Sequence, residues 1–123
     1  MSRYRPIVFL PDVVRDIVLP NRPGAYALGR GEPFRLEYVG RSDNCLQTRL
    51  AAHNHLYAFD YFIFRYAETP FEAFVRECEL FHALEQSTPN MMNKYHPAAP
   101  AGSGARCPYC EFGLGIRRVF RTG

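Results

Sequence analysis

Gly24-Ala25-Tyr26-Ala27-Leu28, then Gly29-Arg30-Gly31, then Phe34-Arg35-Leu36-Glu37-Tyr38-Val39-Gly40, is the stretch on which the fold turns. Two runs of β-formers separated by glycine-rich punctuation read as a hairpin. The first strand is short and ends at Leu28. The second runs from Phe34 to Gly40 and alternates Phe34, Leu36 and Tyr38 or Val39. Downstream, Asp43 or Asn44 can cap a helix reaching to about His55, with Leu46 and Leu50 on one face. Phe59 to Ala67 is dense in aromatics and reads as a buried third strand. Thr69-Pro70-Phe71-Glu72 is a strong helix start: Thr69 caps, Pro70 fits the first turn and Glu72 completes a capping box. That helix runs to about Leu84.

The order strand, strand, helix, strand, helix predicts a small α+β domain with a three-stranded mixed or antiparallel sheet flanked by helices. Its 123 residues allow one domain. Residues 1–22 carry three prolines, with a fourth at Pro23, and form an arm of short extended pieces, with room for one helical turn at Asp12–Val18. Residues 23–97 hold the domain proper. Residues 98–123 are an irregular tail containing Cys107-Pro108-Tyr109-Cys110.

A 47% hydrophobic content is enough for a packed core and too apolar for disorder. No apolar run approaches a membrane span and the N-terminus lacks a secretory pattern, so the chain reads as soluble and cytoplasmic, without a membrane partner. Net charge is +3, and of fifteen basic residues only Lys94 is a lysine. Arginine's planar fork suits phosphate; a GC-rich genome writing Arg for Lys accounts for the same bias.

On the second long helix, Phe71, Phe74, Val75, Cys78, Phe81 and His82 define an apolar arc, widened by Ala73, Leu80 and Leu84. Glu77 falls inside it, whereas Glu79 joins Glu72 and Arg76 on the polar face. A carboxylate in an apolar arc needs compensation. A divalent cation and an internal salt bridge to an arginine both supply it.

Gly24-Ala25-Tyr26 followed by Tyr38-Val39-Gly40 resembles the paired motifs of the GIY-YIG nuclease superfamily. Ala25 stands where Ile or Val is usual. Arg49 and His53, one helical turn apart, match the family's catalytic Arg and His. Ala73-x-x-x-Glu77-x-x-Leu80-Phe81 is similar to its metal-binding helix, and Asn93 to its closing Asn. The step from Tyr38 to Arg49 is one residue longer than the family pattern. Asn93 is also one residue farther from its proline, which leaves Asn90 as a second candidate. The resemblance spans roughly residues 23–97, and Asn93-x-x-His96-Pro97 with Cys107-Pro108-Tyr109-Cys110 is similar to a prokaryotic subgroup.

The resemblance implies divalent-metal-dependent endonucleolytic cleavage of nucleic acid, DNA before RNA. Glu77 would hold Mg²⁺ or Mn²⁺, whose hydration suits sparse protein ligation. Tyr26, assisted by Tyr38, would activate or orient the attacking water. Arg41 and Arg49 would bind the phosphate and supply positive charge. His53 would share the proton or contact the phosphate, and Asn93 would fasten its loop. Two rivals remain: a nucleic-acid-binding module without activity, and a zinc-stapled interaction domain. A domain this small calls for a protein partner or a homodimer to gain specificity.

Cys107 and Cys110 are spaced for metal or redox chemistry. Cys-Pro-Tyr-Cys is also a glutaredoxin-type motif, but that chemistry needs a following helix, which Gly113 and Gly115 disfavour. A zinc site fits better and needs four ligands. Cys78 and His82, at i and i+4 of the long helix, complete a Cys₃His set, with His96 the substitute if His82 is core. The opposing reading packs Cys78 and His82 into the apolar core.

Overall fold

The computed structural model describes residues 5–53, 56–87 and 96–112. Its elements are β1 (Ile7–Val8), α1 (Pro11–Ile17), β2 (Gly24–Arg30), β3 (Arg35–Ser42), α2 (Leu46–Ala51), β4 (Tyr61–Tyr66), α3 (Pro70–Ser87) and α4 (Pro108–Phe112). The class is α+β, as expected. The sheet has four strands rather than three, ordered β1-β4-β2-β3, and every pairing is antiparallel. The fourth strand comes from the N-terminal segment. Ile7 and Val8 are β-branched, lie between Pro6 and Pro11, and pair with Phe62 and Tyr61. So short an edge strand is invisible to periodicity and forms only because β4 offers it a partner.

The hairpin is where the sequence places it. Tyr26 faces Gly40, and Ala27 faces Val39. Its turn holds Gly31 at φ 85°, a left-handed conformation that glycine adopts without a Cβ clash. Alternation along β2 divides the core. Tyr26 and Leu28 join Phe9, Val14, Val18, Leu46, Leu50, Phe59 and Phe62 beneath α1 and α2. Ala25 and Ala27 join Val39, Ile63, Leu80, Phe81 and Leu84 beneath α3. Small residues on that face of β2 let the long helix approach closely. The molecule is thus a sheet with α1 and α2 on one side and α3 on the other.

The helix starts show which local rules prevailed. Thr69 Oγ1 accepts the Glu72 N–H at 3.0 Å, so Thr69 caps α3 as expected, while the Glu72 carboxylate accepts the Glu68 N–H at 2.6 Å rather than that of Thr69. For α2 the expected caps are replaced. Cys45 is the N-cap and makes no side-chain cap bond. Ser42 Oγ instead accepts the Cys45 and Asn44 N–H groups at 3.0 and 3.3 Å. Asp43 turns its carboxylate to Arg41, a stronger charged partner. Gln47 Nε2 donates to the carbonyls of Arg15 and Val18, tying α2 to the end of α1.

On α3 the buried residues are Ala73, Phe74, Glu77, Cys78, Leu80, Phe81, His82 and Leu84. The buried arc is therefore rotated toward Ala73 and Leu80, leaving Phe71 at its margin and 52% exposed. Glu77 lies well inside this arc. The helix also continues past Leu84 to Ser87.

Phe9 carries the N-terminal segment into the core, 1% exposed and with its ring 5.7 Å from that of Phe62. Phe9→Ala should cost about 3–5 kcal/mol, as large-to-small changes at buried aromatics do, read from the urea midpoint at unchanged m-value.

Candidate functional site

The edge strand β3 and the helices on either side of the sheet enclose a cleft of about 650 Å³. Tyr26, Tyr38, Arg41, Arg49 and Glu77 all line it, together with Gly40, Asp43, Asn44, Cys45, Thr48 and Ala98. The candidate residues thus come from both strands of the hairpin and from α2 and α3, and the fold brings them to one place. His53 follows α2 and stands behind the cleft, its Nε2 2.7 Å from the Tyr26 hydroxyl. Asn93 and the alternative Asn90 lie outside the described residues.

The tyrosines are held by backbone geometry. Tyr26 and Gly40 are directly paired, and the Tyr26 ring lies over the glycine, where a Cβ would run into the phenol. Tyr26 is 2% exposed. Burial first, then Tyr38, push its pKa far above the ordinary phenol range; Arg49 pulls it down and Glu77 raises it further. The half-buried Tyr38 is raised by burial and by Glu77, against the pull of Arg49. Both hydroxyls are neutral in the free protein. His53 stands edge-on to both rings, with centroids 5.3 Å from each.

On the α3 side, the Glu77 carboxylate is 11% exposed and accepts Arg41 Nη1 at 2.8 Å. The same guanidinium donates through Nε to Asp43 at 2.7 Å. Of the two compensations the sequence allows for a carboxylate in the apolar arc, the ion pair is present. Burial raises the Glu77 pKa, and the hydrogen bond and charge of Arg41 work against that rise. Asp43, Asn44, Cys45 and Thr48 enter the cleft lining without having been expected there. The Arg-Ser-Asp run after Gly40 was the available signal for Asp43. Cys45 has its pKa lowered, chiefly by a hydrogen bond with Thr48.

A second constellation lies on the far side of α3. His82, His96, Cys107 and Cys110 bring one donor atom each to within 4.8 Å of all the others, a group able to hold a metal ion. His82 Nε2 is 3.3 Å from His96 Nε2, 3.1 Å from Cys110 Sγ and 3.5 Å from Cys107 Sγ. His96 Nε2 is 3.2 Å from Cys110 Sγ. The expected Cys₃His set is corrected here: His96 joins His82, and Cys78 stands outside. Cys78 is fully buried beside Phe74 and Cys107, and burial followed by its hydrogen bond with Cys107 raises its pKa strongly. It is not among the four residues whose donor atoms come together. One turn of helix, α4, does follow Cys107, and the Cys110 N–H points to Cys107 Sγ at 3.4 Å. Gly113 and Gly115 lie outside the described residues. None of the four cysteines is in a disulfide.

Among the described residues no helix is long and apolar enough to cross a membrane. Gly40→Ala should cost about 1–3 kcal/mol through overpacking and move Tyr26 off His53, seen as a changed His53 imidazole signal by NMR. Arg41→Met should cost about 2 kcal/mol, between the values for exposed and buried pairs, because Glu77 then lacks its cation. The double variant with Glu77→Leu should recover much of that loss in the same denaturation assay. No protein-family model matches the chain, and neither does any curated protein or solved structure.

Proposed function

We propose that the cleft hydrolyses phosphodiester bonds of nucleic acid, DNA before RNA, with a divalent cation at Glu77, in the manner of the GIY-YIG nucleases the sequence resembles. The observation carrying this reading is the convergence of Tyr26, Tyr38, Arg41, Arg49 and Glu77 on one cleft. Two phenols, two guanidiniums and a carboxylate are the groups that a phosphoryl centre requires for water positioning, charge stabilisation and cation binding.

Arg49, exposed on α2, meets an incoming phosphate first. Arg41 supplies the second guanidinium; to reach phosphate it exchanges its bond with Glu77 for one with the substrate. Glu77 would hold Mg²⁺ or Mn²⁺ with Asp43 nearby in the same cleft, since these ions keep much of their water and need few protein ligands. The bound cation supplies Lewis acidity to the phosphate and charge stabilisation for the leaving oxygen. In the His53 tautomer whose Nε2 accepts, Tyr26 donates to it and keeps its oxygen lone pairs for a water. The phenol orients that water and relays its proton: the phenol oxygen takes the water's proton as the phenol's own proton passes to His53 Nε2. Tyr38 completes the wall beside it.

A binding module without activity is the second reading, and the closed Arg41–Glu77 pair favours it. In that reading the arginines hold phosphate and Glu77 serves only to place Arg41.

Cleavage of branched, single-stranded and duplex DNA with Mg²⁺ or Mn²⁺ separates the two. The parent should cleave at least one of these. Glu77→Gln should lose about 10²-fold or more in rate while keeping its affinity for DNA. Metal-independent binding with no cleavage by the parent would establish the binding module instead. Equal cleavage by both proteins would remove Glu77 from the chemistry.

A further inference from the structure

The two histidines of the second constellation are oriented by what their other nitrogens touch. His96 Nδ1 lies 2.8 Å from the Pro97 carbonyl oxygen, and His82 Nδ1 lies 3.2 Å from Glu85 Oε1. Both partners only accept, so each Nδ1 carries the proton and each Nε2 presents its lone pair. Those two lone pairs and two sulfurs converge on one point.

The spacing selects the ion. Tetrahedral zinc, with bonds of about 2.0–2.1 Å to nitrogen and 2.3 Å to sulfur, has N–N edges near 3.3 Å and N–S edges near 3.6 Å. Here the N–N distance is 3.3 Å and the short N–S distances are 3.1, 3.2 and 3.5 Å. Two thiolates and two imidazoles are borderline-soft donors, the wrong set for Mg²⁺ or Ca²⁺. A span of 4.8 Å also holds one ion and not a two-iron cluster, which would set its histidines and cysteines on different irons. Four protein ligands leave no position for substrate, which marks the site as structural.

What such a site fastens follows from its position. His82 belongs to α3, while His96, Cys107 and Cys110 belong to the segment beyond it. That segment's apolar contact with α3 is a small cluster of Phe74, Cys78 and Cys107 edged by Val75, Ala99, Ala105 and Cys110. Side chains as small as alanine and cysteine bury little area, so this contact alone holds the segment weakly. Ala98, two residues after His96, lines the cleft.

We infer that His82, His96, Cys107 and Cys110 hold one Zn²⁺ in a closed four-coordinate centre that fastens residues 96–110, and with them the Ala98 wall of the cleft, to α3. Cys78 packs beside Cys107 in the small apolar cluster and is not one of the four converging donors. The centre stands independently of the nuclease reading, and its test uses no nucleic acid.

The full chain is purified without chelator and assayed for metal by mass spectrometry, then reloaded with Co²⁺ and scanned for absorbance. The expected result is one zinc per chain, with strong tetrahedral cobalt bands and thiolate charge transfer. Cys110→Ser and His96→Gln should each abolish the cobalt spectrum, and Cys78→Ser should keep it. Hydrogen exchange of the parent follows, with and without chelator. Zinc removal should speed exchange within residues 96–112 and leave β2 and β4 protected. The inference is overturned by a weak octahedral cobalt spectrum, by full zinc content in Cys110→Ser and His96→Gln, or by loss of the spectrum in a folded Cys78→Ser. A Cys107–Cys110 disulfide in freshly purified protein, or equally faster exchange across the sheet, overturns it as well.

Discussion

A carboxylate pressed between a helix and a sheet must keep a cation beside it, and the arrangement of this molecule follows from how Glu77 keeps Arg41. The ion pair spans from the edge strand to α3, 2.8 Å between Nη1 and Oε1, with both side chains largely shielded from water. In water such a pair is worth little; here, removing Arg41 leaves the Glu77 carboxylate buried without its cation, whereas Arg41 keeps Asp43 if Glu77 is removed. The pair therefore constrains rotation of α3 more than it adds to stability. With Glu77 fixed toward the sheet, Cys78 and His82 must face away from Arg41 and toward the tail.

Consecutive residues of β3 serve opposite faces of the sheet. Gly40 gives up its side chain so that Tyr26 can lie across it, and Arg41 then reaches to α3. The cleft therefore exists at the edge strand, where no further strand blocks access from both faces. Its electrostatics are asymmetric. The Tyr26 phenol is hydrogen-bonded to an imidazole, whereas the α3 side sets one guanidinium between two carboxylates. An anion entering the cleft offers Arg41 an alternative to Glu77, and a cation offers Glu77 an alternative to Arg41. Binding of the two is thus coupled through one guanidinium.

What the sequence made legible is what local physics decides. The hairpin, the Thr69–Glu72 start of α3 and the inward position of Glu77 each rest on residues close in the chain, and each is present. The misses are tertiary. β1 is two residues long and exists through β4. Asp43 is a sound cap in isolation, yet Arg41 outbids the backbone for its carboxylate, and Ser42 takes over the turn. Phe71 belongs to the apolar arc by periodicity, but the sheet meets the helix at a rotated angle and leaves it outside. The fourth metal ligand was misjudged for a related reason. The i, i+4 spacing correctly puts Cys78 and His82 on neighbouring positions, but spacing says nothing of where the tail lies, and the tail brings His96 rather than Cys78 into the group.

The cleft and the His/Cys constellation are consequently two uses of one helix. Glu77 and Cys78 are adjacent in the chain and point about 100° apart, one into the cleft wall and one against Cys107. His82 continues the second direction a turn later. A rotation of α3 large enough to release Glu77 from Arg41 would drag His82 away from three donors on a different segment. Opening of the ion pair therefore takes side-chain movement of Arg41 or Glu77 while α3 stays in place, and Arg41 keeps Asp43 as its partner when it parts from Glu77.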